Sequence, residues 1–433
     1  MKTFATVWVG QVLSQVGSTM TGFALSIFVY LDSGSVTRLA VVLLAANLPA
    51  ILLAPVAGVW VDRLDRRIVM MVSDSAAGLG ALALLSLAWR SELTFWPVVL
   101  IAALGSAAGS FQEPAYRASI VTLVPTERLG RANGMIEMGP ALGTLIAPAI
   151  AGALIVTVGV EAVLAVDVVT FIAAVGTLAV VRFPRVAPVL GGTRRSMRQE
   201  VLEGLHYLRD RSGLLGLLGM SAGLNFFLVF ANVLWLPLFL GFTDEATIGL
   251  VMTGVGLAMV AGSLAMSAWG GPERLVRGMV GLVVVAGLAL SVSGLRPSLW
   301  LAAGSVMVFM FFIPLVNGIS QTLWQRKVEP AIQGRVFSTR RMIATIASPI
   351  AYVVAGPLAD GVFEPLLAPA GPLAGTVGEV MGVGAGRGSA LLVVLAGVGV
   401  AAVAATAWSF PAVRNIERDV PDAVVSGETL AEV

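Results

Sequence analysis

Residues 41–67 read VVLLAANLPAILLAPVAGVWVDRLDRR, and the fold turns on this stretch. Its first part, 41–61, carries no charge; about 20 apolar residues are enough for a helix to cross the hydrocarbon core of a bilayer. Its last part, 62–67, holds Asp62, Arg63, Asp65, Arg66 and Arg67, a dense cluster of charge where such a span would meet the headgroups. An uncharged run ending in a basic loop is therefore the unit to seek along the rest of the chain.

Working outward, residues 68–89, 214–241 and 389–410 are comparably long and apolar. Only 12% of the 433 residues are charged, against roughly 25% in ordinary globular proteins, so water is not the main solvent. The pattern predicts an all-α membrane protein with twelve spans, at 4–31, 39–61, 68–89, 95–124, 132–158, 161–181, 214–241, 247–269, 278–295, 299–325, 336–361 and 389–410. Lys2 followed by a long apolar stretch with no small-residue cleavage site predicts a retained first helix. With the N-terminus inside, only Arg38, Arg90, Arg296 and Arg387 fall on the outer side, so the positive-inside rule places both termini in the cytoplasm. Lys2 and Lys327 are the only lysines among 27 basic residues, a codon bias that fits the plasma membrane of a bacterium with a GC-rich genome. The net charge of +2 and this sidedness exclude a nucleic-acid partner. The lack of cysteine excludes disulfides and thiolate chemistry.

The basic segment 182–211 divides the chain. The expected organisation is a six-helix bundle over 1–182, a cytoplasmic linker over 183–212, a second six-helix bundle over 213–412 and a disordered cytoplasmic tail over 413–433. Within the linker, Val201, Leu202, Leu205 and Leu208 share one helical face, the pattern of an interfacial helix or of a solvated linker helix. His206, the only histidine, reads as a bystander there. Residues 367–388, rich in Gly and Pro, read as a flexible external loop. The halves are related: at an offset of 204 residues Gly58 matches Gly262, Gly130-Arg131 matches Gly334-Arg335, and Gly152 matches Gly356.

The loop Gly58-Val-Trp-Val-Asp62-Arg63-Leu-Asp-Arg66-Arg67 resembles the signature of the major facilitator superfamily in spacing, position and sidedness. In physical terms Gly58 permits close helix approach, Asp62 suits a helix N-terminus, and Arg63, Arg66 and Arg67 suit the inner headgroup layer. The counterpart after the eighth span keeps Gly262 and Arg274 without the aspartate. Helix five carries Gly139-Pro140, Gly143, Pro148 and Gly152, similar to a loose form of the superfamily's antiporter motif. Gln11 to Ser18, residues 200–218 and Gln333-Gly334-Arg335 are similar to the branch that holds macrolide efflux proteins, the enterobactin exporter and transporters linked to peptide synthetases.

Ionisable groups within spans are functional candidates by default. Glu113 and Arg117 stand four apart and predict an intrahelical ion pair; Asp74 is expected to pair with loop arginines. Glu137, with no partner one turn away, is expected to be a desolvated carboxylate and the first candidate for proton coupling, followed by Asp167 and Glu113. Candidates to line a substrate cavity are Gln15, Asn225, Phe226, Asn232, Trp235, Asn317 and Gln321. One histidine, no cysteine and no phosphate-cradling glycine loop leave little for a membrane enzyme or an ATP-driven pump, and no cofactor or metal is expected. The resemblance implies a monomeric, proton-coupled exporter of an amphipathic small molecule such as an antibiotic, siderophore or secreted peptide, with lipid flippase or uptake permease as alternatives.

Overall fold

A computed structural model of the chain describes residues 2–61, 63–125, 128–181, 206–209, 211–329 and 332–423. Among these, twelve helices are long and apolar enough to span a membrane. They are α1 (Lys2–Ser33), α2 (Val36–Val61), α3 (Arg66–Trp89), α4 (Phe95–Leu123), α5 (Leu129–Thr157), α6 (Val160–Val180), α7 (Ser212–Leu240), α8 (Glu245–Trp269), α9 (Leu275–Ser293), α10 (Leu299–Lys327), α11 (Gln333–Leu358) and α12 (Arg387–Ser409). Prolines lie inside α2, α4, α5, α7 and α10, as membrane helices tolerate. Many large apolar side chains, Leu52, Leu79 and Trp300 among them, are exposed, as a lipid solvent allows.

The chain forms two compact units, and neither boundary is a single cut. The first holds α1 to α6 together with Thr243–Gly256 and Ala355–Asp360; the second holds the rest of α7 to α12. In the first, α1 packs against α5 and α6, α2 against α4, and α3 against α4 and α6. Contact between α1 and α6 is close at Gly17, where a Cβ would stand 2.8 Å from Asp167 Oδ1. Backbone also meets backbone at Gly152 of α5, whose Cβ position is 2.7 Å from the Glu245 carbonyl at the start of α8. The N-terminus of α2 is closed by Asp360, which accepts hydrogen bonds from Val36 N (2.9 Å), Thr37 N (2.8 Å) and Ser35 Oγ (2.6 Å). Asp244 caps α8 through Thr247 N at 2.7 Å, and that bond holds its carboxyl below the ordinary range.

In the second unit α12 packs against α9 and α7, and α10 against α9. Residues 367–388 fold into a packed segment in place of the expected flexible loop. Leu367 and Met381 are buried, Gly384 N bonds to the Leu367 carbonyl at 2.9 Å, and Val377–Met381 forms a short helix. Buried Arg387 organises this cap by donating to the Met381 carbonyl and lying over the Phe242 ring. The tail is likewise ordered through 423, with short helices Pro411–Arg414 and Ile416–Asp419. Its anchor is Lys327 at the end of α10, only 4% exposed, which donates to the carbonyls of Glu417 (3.0 Å) and Val420 and pairs with Asp422 at 2.8 Å. Glu417 in turn accepts from Leu275 N and Val276 N and caps α9. A buried cation needs partners, and the residues after the last span supply them; composition alone hides that. Leu208 is buried, while Val201, Leu202 and Leu205 lie outside the described residues.

Candidate functional site

The loop after α2 is held by its second charged pair. Asp65 caps α3, its Oδ1 accepting from Arg67 N (2.9 Å) and Ile68 N (3.4 Å). Arg66 donates to the Ala118 carbonyl near the end of α4 (2.6 Å), and Arg67 to those of Leu178 (2.8 Å) and Ala179 (2.7 Å) at the end of α6. Cations at helix C-termini complement the dipole, so these two arginines fasten three helix ends together. Asp62 lies outside the described residues. Gly58 does not carry the expected close approach: no described atom lies within 4 Å of its Cβ position. In α5 Gly143 faces α1, its Cβ position 3.0 Å from Thr19 Oγ1.

The carboxylates of the first unit fall into two kinds. Asp74 and Asp167 are 3% and 2% exposed. Asp74 is met by Gln11 Nε2 of α1 (2.8 Å) and Gln112 Nε2 of α4 (2.9 Å), and the two glutamines bond to each other. This corrects the expected pairing with loop arginines: among the described residues the carboxylate's side-chain hydrogen bonds come from neutral amides. Asp167 of α6 receives Ser18 Oγ at 3.4 Å. Glu113 and Glu137, in contrast, are 63% and 65% exposed in their side chains. Arg117 joins both, at 3.1 Å to Glu113 and 3.0 Å to Glu137. Glu137 is therefore not alone, and protein does not enclose its side chain. Its partner sits on the neighbouring helix α4, where spacing along α5 could not show it.

The second unit holds a cavity of about 340 Å³ between α7, α9, α10 and α11. Three sequence candidates, Asn225, Asn317 and Gln321, line it. The others do not: Phe226 packs on Phe227 and Phe230, Asn232 is exposed outside the lining, and Trp235 is buried against Phe309. Gln15 belongs to the first unit, exposed on α1. The cavity also contains two residues that sequence reasoning missed, Arg340 and Arg341 of α11. Arg340 donates to Ser320 Oγ (3.0 Å) and Gln321 Oε1 (3.3 Å), with its guanidinium 5.0 Å above the Trp324 ring. A signal was available: Arg340 lies five residues past Arg335, about 7–8 Å deeper at 1.5 Å per residue, too far in to be a simple loop anchor.

Comparison with known proteins now adds to the geometry. The chain is 27% identical over 361 residues to macrolide efflux protein A of Streptococcus pyogenes, covering 82% of this chain and 89% of that one. It is 29% identical over 279 residues to the lysophospholipid transporter LplT of Serratia proteamaculans (strain 568), covering 63% and 68%. Among solved structures, a bacterial homolog of the human lysosomal transporter Spinster, in an inward-facing and unoccupied conformation, matches with a TM-score of 0.72 at 13% identity, covering 97% of this chain and 98% of that one. Residues 7–352 match the sequence profile of the Major Facilitator Superfamily. With twelve membrane-spanning helices and that profile across most of its length, this chain belongs to the major facilitator superfamily of transporters.

Proposed function

We propose that the chain is a proton-coupled exporter of amphipathic small molecules, working by alternating access in a bacterial plasma membrane, as a monomer with both termini in the cytoplasm. The observation that carries proton coupling is the group Glu113, Arg117 and Glu137. Two carboxylates share one guanidinium, so the group has one uncompensated negative charge inside membrane spans. Such a charge is costly in a bilayer, and a proton arriving from an accessible face removes it. Asp167, buried beside α1, is the second candidate. The direction is supported by the efflux relatives, and the sparse interior charge suits an amphipathic substrate better than a strongly polar one.

A lysolipid flippase is the second reading, favoured by the 29% identity to a lysophospholipid transporter. The test of coupling is flux in proteoliposomes under an imposed pH gradient. Wild-type flux is expected to follow the gradient and to collapse with a protonophore. The double variant Glu113→Gln, Glu137→Gln is expected to lose the gradient dependence and to retain substrate exchange at equal pH. Flux in the wild type that ignores the gradient for every transported compound would overturn the assignment.

A further inference from the structure

We infer that the cavity of the second unit is a binding site for the anionic group of an amphipathic substrate, a phosphate or carboxylate held by Arg340 with Arg341 beside it. The inference rests on the reading of the chain as a transporter of amphipathic molecules and gives that reading a substrate charge.

Three observations on this cavity converge. The first is charge without compensation. Arg340 and Arg341 both line the cavity, and among the described residues neither makes an ion pair with a carboxylate. Unpaired charges within membrane spans are expensive and are kept where a ligand or pathway uses them. Lys327 and Arg387 of the same unit show the contrast, since both are buried and both are answered by protein carbonyls.

The second is preorganisation. Trp324 lies beneath the guanidinium, and Ser320 and Gln321 take one hydrogen bond each. A guanidinium has five N–H donors, so three of Arg340's remain without an acceptor among the described residues. Its planar fork matches the two oxygens of a carboxylate or phosphate. Holding the fork against an aromatic face lowers the entropy lost when an anion binds.

The third is the rest of the wall. Met220, Leu224, Met279, Val316 and Phe337 give the cavity an apolar side with two adaptable methionines. At about 340 Å³ it is near the lower end of ligand cavities, roughly 300–1,000 Å³. That is room for a headgroup and the start of a tail. One cationic end and one apolar wall describe the complement of an amphipathic anion.

The experiment compares ligands of one chain length and different charge on the purified full-length protein in a neutral maltoside detergent, by equilibrium binding without any gradient. The probes are dodecyl phosphate, dodecanoate, dodecyltrimethylammonium, lysophosphatidylglycerol and inorganic phosphate. The wild type is expected to bind at least one anionic amphiphile about tenfold or more tightly than the cationic one, the size of one charged hydrogen-bonded contact. Arg340→Gln is expected to erase that preference while leaving the affinity for dodecyltrimethylammonium unchanged, and Arg340→Lys, which keeps charge but not the fork, to retain part of it. Preference for dodecyl phosphate and lysophosphatidylglycerol supports the inference with a lipid-type phosphate; preference for dodecanoate supports it with a carboxylate; binding of inorganic phosphate with none of the anionic amphiphiles overturns it. Equal affinity for the anionic and cationic amphiphiles in the wild type overturns it, as does an equal loss of both in Arg340→Gln. Because no gradient is applied, failure of proton coupling leaves this result standing, and the reverse holds too.

Discussion

The two units treat charge in opposite ways. More than a turn from any helix end, the spans of the first unit carry Asp74, Glu113, Arg117, Glu137 and Asp167, four carboxylates to one arginine. Those of the second carry only Arg340 and Arg341. The acidic side chains are supplied with donors from their own unit, by amides at Asp74 and by a shared guanidinium at Glu113 and Glu137. The basic pair has neutral neighbours and a cavity. The two halves thus differ in the sign of the charge their spans carry, and on that difference rest the proposed proton handling in one and the proposed anion recognition in the other.

The largest effect should come from breaking the amide cluster. Gln11→Leu removes a donor from buried Asp74 and an acceptor from Gln112, at a cost of roughly 3 kcal/mol, since a buried polar group left without its partner loses its solvation as well as its bond. The melting temperature in detergent should fall by several degrees. Adding Asp74→Leu and Gln112→Leu together should recover most of it, because three apolar side chains then replace three mutual partners. Recovery that fails would mean Asp74 has a further partner and that the cluster is more than structural.

Lys327→Met comes next. Its ammonium ties three backbone and side-chain oxygens of the tail to α10. Losing it should cost about 1–3 kcal/mol and release 411–423, seen as faster hydrogen exchange there. Unchanged exchange would show that Glu417 and Arg326 hold the tail without it.

Arg340→Gln is predicted to sit at the other extreme, within about 0.5 kcal/mol of the wild type in stability, for the side chain has no charged partner to lose. Against the Gln11 variant this is the sharpest test of the contrast between the units. A melting temperature that drops as far as in Gln11→Leu would place Arg340 among the structural charges.

The sequence made the twelve spans and the family legible because hydropathy and loop charge are properties of contiguous residues. The partnerships were not, because each joins distant positions. Asp74 meets Gln11 and Gln112 through the packing of α1, α3 and α4, and Glu137 meets Arg117 across α4 and α5. Proximity along one helix found the Glu113 to Arg117 pair and could find no other. Arg340 and Arg341 were passed over for a related reason: following Arg335 in a basic run, they look like topology anchors until α11 is seen to begin at Gln333 and carry them inward. Asn225, Asn317 and Gln321 were legible as polar residues in otherwise apolar helices, whereas Trp235 and Phe226 share the aromatic character of a binding surface but serve as core.

A pH titration tests whether the tail's charges resemble the answered or the unanswered kind. Burial pushes the Asp422 carboxyl up, but hydrogen bonds from Lys327 and Arg326 outweigh it and hold the group below its ordinary value. A folded-state pKa that is depressed contributes stability above the unfolded value, about 3.9, and that contribution is lost as pH falls through the folded value. The pair with Arg326 is half-exposed, so the contribution is at most about 1 kcal/mol. Since the chain has no cysteine, a single spin label at Ala423→Cys reports the docking, for Ala423 N bonds to the Arg326 carbonyl at 2.7 Å. The label should be equally immobile between about pH 5 and 7 and gain mobility only below about pH 4. Mobility that rises already between about pH 5 and 7 would assign the docking to a group other than Asp422, and mobility flat to about pH 2 would leave Lys327 and the tail carbonyls as its whole support.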